Sequence, residues 1–155
     1  MPSATQGSSS IDITADPQRV YEIISDVTTI GERSPESTGA EWISGAGAEV
    51  GARFSGHNRL GLLRWTTECE VTVATPGKEF GFDVLHPSGR VETHWRYLIE
   101  PTESGCRLTE SYDFEWCPLA YRIAELPIPR DKQLRRGIAQ TVRRVKAAAE
   151  SADRG

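Results

Sequence analysis

Cysteine is scarce in this chain of 155 residues, and long hydrophobic runs are absent. The three cysteines, Cys69, Cys106 and Cys117, have neither CxxC nor CxxH spacing, which favours structural thiols in a reducing compartment over a metal or redox site. No window approaches the ~18 consecutive apolar residues of a membrane-spanning helix. Residues 1–7 have neither the basic nor the apolar region of a secretory signal. We therefore expect a cytoplasmic protein with a disordered segment at residues 1–7.

Motifs for metal, nucleotide or covalent chemistry are also missing. His57, His86 and His94 are scattered, and none of them stands at a metal-ligand spacing from another His, a Cys or an acid. The patterns GxSxG, HExxH and GxxxxGK[ST] do not occur. The sequence therefore predicts no metal and no cofactor. Its net charge of −4 argues against a protein that coats nucleic acid, so no nucleic-acid partner is expected.

The first part of the chain predicts a strand and two short helices. Residues 8–13 alternate weakly between apolar and polar, as in a short strand. Asp16 is a suitable helix cap and Pro17 suits the first helical position, so a helix is expected over residues 17–26. The buried face of this helix is expected to hold Val20, Ile23, Ile24 and Val27. A second short helix is predicted over residues 28–35, where a proline ends it.

From residue 39 to residue 116 the hydrophobic period is two, and turn residues separate the runs. This pattern predicts six successive strands, near residues 39–44, 50–59, 62–75, 78–85, 90–100 and 105–116. Their connections are short, which implies that neighbours in sequence pair in antiparallel fashion.

The phase of the alternation assigns an apolar and aromatic face to the inside of the sheet. The predicted inward residues are Phe54, Gly56, Asn58, Trp65, Thr67, Cys69, Val71, Val73, Phe80, Phe82, Val84, Trp95, Tyr97, Ile99, Leu108, Glu110, Tyr112, Phe114 and Trp116. The predicted outward residues are Arg53, Arg64, Glu68, Glu70, Arg96, Arg107, Thr109 and Asp113.

The end of the chain predicts one long helix after an irregular connection. Prolines interrupt the stretch before residue 130, so residues 119–126 are expected to form a short helical or irregular bridge. A helix is then predicted over residues 130–149, followed by a frayed end at residues 150–155. Its apolar face is expected to hold Leu134, Ile138, Thr141, Val142 and Val145.

These elements predict an α+β domain over residues 8–149 with a helix-grip arrangement. Seven antiparallel strands form a curved sheet that wraps around the long C-terminal helix, with the two short helices after the first strand. A strongly curved sheet cannot contact a straight helix across its whole width. We therefore expect a cavity between the sheet and the helix.

Several segments, in the same order of elements, resemble the polyketide cyclase/dehydrase and lipid transport family of the START and Bet v 1-like superfamily. The segments are Asp26–Glu32, Val50–Asn58, Pro76–Phe82, Trp95–Pro101 and Thr109–Tyr112, and the match covers about residues 8–148. The resemblance implies a helix-grip fold with a hydrophobic ligand cavity. It does not supply a reaction, because members range from aromatase/cyclases to lipid carriers. Arg33 stands where similar sequences often have Trp, so the resemblance does not extend to an aromatic lid there.

The sequence thus favours binding or transport of a hydrophobic small molecule, such as a lipid, a polyketide or an isoprenoid. Apolar and aromatic walls would supply affinity, and polar residues on the same face would orient the ligand. The predicted ligand-binding residues are Phe54, Asn58, Trp65, Thr67, Cys69, Phe80, Phe82, Trp95, Glu110, Tyr112, Ile138 and Val142.

Glu110 is the candidate catalytic residue if the protein is an enzyme. A carboxylate on an apolar inward face must be paired, hydrated or kept protonated by desolvation. A satisfied buried network is one interpretation of Glu110 and Asn58, and a ligand contact is another. The enzyme alternative is a polyketide cyclase, aromatase or dehydratase in which Glu110 transfers protons, assisted by Tyr112 or His57.

The predicted C-terminal helix is more basic than the rest of the chain. Residues 130–146 hold seven basic residues against one acidic residue, a net charge of +6, while the rest of the chain carries −10. This face is interpreted as solvated surface, as a transient contact with anionic membranes, or as a docking site for a protein partner, which would make the chain a regulatory module. The sequence leaves both a monomer and a homodimer open.

Overall fold

A computed structural model describes residues 6–45, 47–116 and 130–152 of the chain. Its helical elements are α1 (Pro17–Ser25), a 3₁₀ helix (Val27–Glu32) and α2 (Arg130–Ala152). Its strands are β1 (Gln6–Ile13), β2 (Ser37–Ser44), β3 (Arg53–Leu60), β4 (Leu63–Thr75), β5 (Glu79–Leu85), β6 (Val91–Thr102) and β7 (Gly105–Phe114).

The seven strands form one antiparallel sheet in the order β1-β7-β6-β5-β4-β3-β2. Strands β2 to β7 follow one another as a meander, and β1 pairs with β7, so β1 and β2 are the two edges. Register shifts interrupt the pairing of β4 with β5 between Val71 and Val73, and that of β5 with β6 between Val84 and Leu85. Such bulges bend a strand and increase its twist, which accounts for the curvature of the sheet. The predicted helix-grip fold is confirmed.

The two short helices begin at aspartate caps. The Asp16 carboxylate accepts a hydrogen bond from the Gln18 backbone N–H at 2.8 Å, and Pro17 occupies the first turn of α1. The Asp26 carboxylate accepts from the Thr28 N–H at 3.1 Å, so the second helix begins at Val27 as a 3₁₀ helix and ends at Glu32. Both helices were expected, although the second is shorter than the predicted range of 28–35.

Helix α2 lies against the β1–β7 end of the sheet and against α1. The Arg135 guanidinium donates to the Gln6 carbonyl oxygen at 2.7 Å, and the Lys146 ammonium donates to the Asp12 carbonyl oxygen at 2.9 Å. Arg143 and Arg144, on the predicted basic face, are exposed. Because α2 follows one end of the sheet, it leaves much of the concave face uncovered.

Several boundaries differ from their predicted positions. Strand β1 begins at Gln6, two residues before the expected start, and β7 ends at Phe114, two residues before its expected end. Strand β3 begins at Arg53 because Gly51, with φ at 92°, belongs to a turn that sequence alternation alone does not reveal. Helix α2 extends to Ala152, beyond residue 149. The predicted bridge at 119–126 lies outside the described residues.

Cys69 and Cys106 are free and buried, and Cys117 lies outside the described residues. Within the described part of the chain, no helix is long and apolar enough to span a membrane.

Candidate functional site

A cavity of about 1070 Å³ opens beside the concave face of the sheet, at the upper end of the size range of small-molecule pockets. Strands β3 to β7 supply most of its described walls, and α2 contributes Leu134 among the described residues. Eight of the twelve predicted ligand-binding residues line it: Phe54, Asn58, Trp65, Thr67, Cys69, Phe82, Trp95 and Glu110.

The apolar wall is built from aromatic rings that pack edge to face. The ring centroids of Phe54 and Phe82 are 5.1 Å apart at an interplanar angle of 74°, and those of Trp42 and Phe54 are 5.6 Å apart at 75°. Edge-to-face pairs fix the orientation of both rings. The cavity therefore has a firm apolar side rather than a set of loosely held side chains.

Four predicted ligand-binding residues lie outside the cavity. Phe80 is fully buried and packs against Tyr21 of α1. Tyr112 and Ile138 belong to a separate core cluster with Leu134, and Val142 belongs to the main core. The physical reason is helix packing, because α1 covers Phe80 while α2 packs over β1 and β7 and fills that end of the concave face. Alternation identifies a side chain's face, but it does not reveal whether a helix covers that face.

Glu110 and Tyr97 form the polar part of the cavity wall. They lie directly opposite each other in the pairing of β7 with β6, and both line the cavity. Each is buried, with 4% and 3% of its surface exposed, respectively. The Tyr97 hydroxyl hydrogen-bonds the Glu110 carboxyl group. The other carboxyl oxygen, Oε1, is buried and has no hydrogen-bond partner.

Arg33 stands behind this pair and is itself buried, with 4% of its surface exposed. Its guanidinium donates to the Thr29 hydroxyl at 2.8 Å and to the backbone carbonyls of Ile24 and Asp26 at 3.2 and 3.3 Å. These partners hold the cation among the two short helices. Arg33 does not belong to the described cavity lining, although its charge acts on Tyr97 and Glu110.

Burial controls the protonation of this group. Desolvation raises the pKa of Glu110 to about 8, although the Tyr97 hydrogen bond and the Arg33 charge both favour the ionised form. Desolvation, followed by the nearby Glu110 charge, also raises the pKa of Tyr97 well above its usual value. At neutral pH the two groups that face the cavity are therefore mainly uncharged.

Asn58 is the second predicted polar contact, and it lines the same cavity. Its amide nitrogen lies 3.4 Å from the Thr67 hydroxyl and 3.5 Å from the Gly56 carbonyl, and its amide oxygen accepts from Ser37 at 3.3 Å. These bonds are long, so they hold the amide weakly. Asn58 thus has internal partners that a ligand group can replace.

Aromatic and apolar side chains also mark the outer part of the cavity. The rings of His86 and Trp116 are 5.0 Å apart, and the Arg90 guanidinium lies 4.4 Å from the centre of the Trp116 ring. Leu63, at the end of the β3–β4 hairpin, lines the cavity and is 62% exposed. The walls therefore continue from the buried Glu110 to the surface.

The structure does not bring His57 to Glu110. His57 contacts Glu41 at 3.2 Å and Thr66 at 3.4 Å in exposed positions, and it does not line the cavity. His94 binds Asp83 at 2.6 Å and Glu115 at 2.5 Å, also outside the described cavity lining. Across residues 6–45, 47–116 and 130–152, no group of three or more His, Cys, Asp or Glu residues is arranged to hold a metal ion.

Two residues of the polar group were not among the predicted site residues. Tyr97 was assigned to the inward face, and its position opposite Glu110 follows from the strand pairing rather than from composition. Arg33 gave one signal, namely a charged residue at a position where similar sequences often have Trp. That signal predicted a missing lid, whereas the structure shows a buried cation.

Residues 4–150 match the family model for polyketide cyclase/dehydrase and lipid transport. The chain belongs to this family. No curated protein matches the chain. The family includes both cyclases and lipid-transport proteins, so membership supports ligand binding or cyclisation as a class and leaves the specific activity undetermined.

Solved structures share the fold. The polyketide-cyclase-like protein Cgl2372 from Corynebacterium glutamicum is 32% identical, with 97% of this chain and 94% of that chain covered and a TM-score of 0.63. The di-domain aromatase/cyclase StfQ of the steffimycin biosynthetic pathway is 16% identical, with 97% and 52% covered and a TM-score of 0.76. Protein CV1439 from Chromobacterium violaceum is 16% identical, with 95% and 99% covered and a TM-score of 0.68. At 16% identity the likeness concerns the fold alone.

Proposed function

We propose that the protein binds or carries a hydrophobic small molecule, such as a lipid, a polyketide or an isoprenoid, in the cavity beside the concave face of its sheet. The observation that carries this function is the cavity of about 1070 Å³ with an aromatic wall. Burial of apolar ligand surface against that wall contributes about 25 cal/mol per Å² before the costs of ordering. Asn58 and Glu110 orient the ligand.

A binding experiment with a blocking variant tests this function. The probe is N-phenyl-1-naphthylamine, an uncharged apolar fluorophore. Thr67→Trp places a large side chain in the cavity, whereas Thr72→Trp places the same side chain at an exposed position of the same strand, outside the described cavity lining. We expect saturable binding to the wild type and to Thr72→Trp, and at least tenfold weaker binding to Thr67→Trp. Equal binding to all three proteins, or none to the wild type, contradicts the function.

A cyclase or aromatase activity is the second candidate, and the raised pKa of Glu110 favours it. A carboxyl group with a pKa of about 8 inside a cavity is suited to proton transfer near neutral pH. Under this candidate, Glu110→Gln abolishes turnover of a short poly-β-ketone while its affinity stays within about twofold. Absence of turnover by the wild-type protein, with the same compound bound, leaves the carrier function and removes the enzymatic one.

A further inference from the structure

Two buried polar atoms near the inward side of the cavity have no hydrogen-bond partner among the described residues, Oε1 of Glu110 and Nε of Arg33, and of these two residues only Glu110 lines the cavity. Oε1 of Glu110 is buried and unpartnered, in a residue that is 4% exposed and lines the cavity. A buried polar atom without a partner costs about 1–3 kcal/mol, so folded proteins seldom retain one. Because Oε1 has almost no accessible surface, a ligand in the cavity reaches it only when the Glu110 side chain rotates, and a hydrogen bond to the ligand then removes that cost.

The surroundings of this atom determine its protonation. Tyr97 faces it from β6 and Arg33 from the segment after the 3₁₀ helix, while the nearest inward neighbours on β7 are Leu108 and Tyr112. Tyr97 donates its only hydroxyl proton to the carboxyl group, and the two terminal nitrogens of Arg33 are held by Thr29 and by two backbone carbonyls, while its Nε has no partner within the described part of the chain. Both neighbours favour the ionised carboxylate, but desolvation outweighs them, so the carboxyl group keeps its proton at neutral pH and is a hydrogen-bond donor.

The charges facing the cavity also limit what the ligand can carry at that end. Glu110 and Tyr97 are both uncharged, and Arg33 does not belong to the described cavity lining. A ligand carboxylate placed there would lose its hydration and gain no direct ion pair, which is unfavourable. An uncharged oxygen loses less hydration and receives a hydrogen bond in return.

We propose that Glu110, positioned by Tyr97 and Arg33, is a polar anchor that selects uncharged ligands carrying a hydrogen-bonding oxygen, such as a ketone, a phenol or an alcohol, on an apolar body. This assignment rests on the proposed ligand-binding function and specifies the ligand for the same cavity. Glu110 is the contact residue, and Tyr97 and Arg33 are positioning residues.

Three naphthalene probes of similar size separate the contribution of the hydrogen bond to affinity from the contributions of the apolar body and of negative charge. They are 2-acetylnaphthalene, which has a carbonyl oxygen, 2-isopropylnaphthalene, which has none, and 2-naphthoate, which is an anion. At pH 6 we expect the ketone to bind about five- to tenfold more tightly than the hydrocarbon, the ratio that one neutral hydrogen bond supplies. The naphthoate is expected to bind more weakly than the ketone. The ketone's advantage should decline as the pH rises through about 8, where Glu110 loses its proton.

Two variants distinguish the anchor from a merely structural residue. Glu110→Gln keeps a neutral donor at every pH, so it should retain a preference for the ketone that no longer changes between pH 6 and pH 9. Tyr97→Phe removes a hydrogen bond that favours the ionised carboxylate, so the pH at which the preference declines should move upward.

The outcomes also distinguish the failure of Glu110 as an anchor from the failure of the proposed ligand-binding function. If the ketone and the hydrocarbon bind equally at pH 6, the cavity binds apolar molecules and the anchor assignment is wrong. The assignment also fails if the naphthoate binds best or if Glu110→Gln keeps the wild-type pH dependence. If none of the probes binds, the ligand-binding function fails as well.

Discussion

At the scale of single residues, Glu110 connects the stability of the protein to pH. Its pKa is about 8 in the folded chain and near 4.5 as an ordinary glutamate, because burial disfavours the charged form. Between these values the folded protein holds a proton that the unfolded chain has released. Stability from this group is therefore fully present below pH 4.5 and is lost as the pH rises toward 8.

The variant Glu110→Gln should remove this dependence. When a group has different pKa values in the folded and unfolded chain, the free energy of unfolding changes by about 1.4 kcal/mol per pH unit between those two pKa values. Solvent relaxation around the buried group makes the actual change smaller. We expect the free energy of unfolding of the wild type to fall between pH 5 and pH 8 relative to Glu110→Gln, as measured by urea titration. Parallel curves for the two proteins would show that the buried carboxyl group is ionised at neutral pH.

His94 also makes stability depend on pH, so Glu110→Gln must be compared with the wild type rather than studied alone. Desolvation lowers its pKa, but hydrogen bonds to Asp83 and Glu115 outweigh that effect and leave the pKa raised. A raised histidine pKa also contributes stability that disappears with increasing pH. Because His94 is present in both proteins, its contribution cancels in the difference.

The cysteines supply a second test at the residue scale. Burial raises the pKa of the Cys69 thiol to about 12 and also raises that of Cys106. Since the thiolate is the reactive form, iodoacetamide at pH 8 should leave both residues unmodified in the folded protein and modify them in urea. Peptide mass mapping reads each site separately. Rapid modification of Cys69 in the native state would contradict its burial in the cavity wall.

At the scale of secondary-structure elements, local patterns predicted much of the fold. Period-two alternation identified all seven strands, and Asp16 with Pro17 identified the start of α1. Alternation also placed Phe54, Phe82 and Glu110 on the inward face, where the structure finds them. These properties depend on neighbours in sequence, which the chain displays directly.

Packing between distant elements was not evident from local sequence patterns. Ile138 and Val142 were expected to contact a ligand, but α2 packs against the sheet and α1, so both are core residues. The partnership of Arg33 with Tyr97 and Glu110 joins the segment after the 3₁₀ helix to the β6–β7 hairpin, which is distant in sequence. Neither hydrophobic periodicity nor a sequence motif predicts contacts between residues that are distant in sequence.

The junction of β1 with β7 provides a test at the element scale. A Cβ added to Gly105, the first residue of β7, would lie 2.1 Å from the Ile13 carbonyl oxygen and 2.8 Å from the Ala15 backbone nitrogen. Gly105→Ala must therefore displace backbone, and we expect it to lower the free energy of unfolding by at least about 2 kcal/mol. Urea denaturation measures the loss.

Gly39 is the matched control for this substitution. It also lies in a strand, but a Cβ added there meets nothing within 4 Å. Gly39→Ala should change stability by no more than about 1 kcal/mol, and in the stabilising direction, because alanine restricts the unfolded chain. If both variants lose the same free energy of unfolding, β7 does not approach the end of β1 as closely as the structure shows.

At the scale of the whole molecule, the cavity follows from how the curved sheet and α2 meet. The helix packs along the β1–β7 end, where it completes the hydrophobic core. Strands β3 to β7 retain an inward face of aromatic and polar residues beside the cavity, and Leu134 is the residue of α2 within the described cavity lining. Phe54 and Phe82 belong both to the hydrophobic core and to the cavity wall, so the same inward face of the sheet supplies stability and ligand contact.

A crystal structure of the protein with N-phenyl-1-naphthylamine tests this account most directly, because it shows both the space and its occupant. We predict electron density for the probe between Trp65, Phe82 and Trp95, with the backbone of β3 to β6 unchanged. A structure in which these side chains interlock and the probe lies elsewhere, or is absent despite saturating concentration, would contradict the central claim.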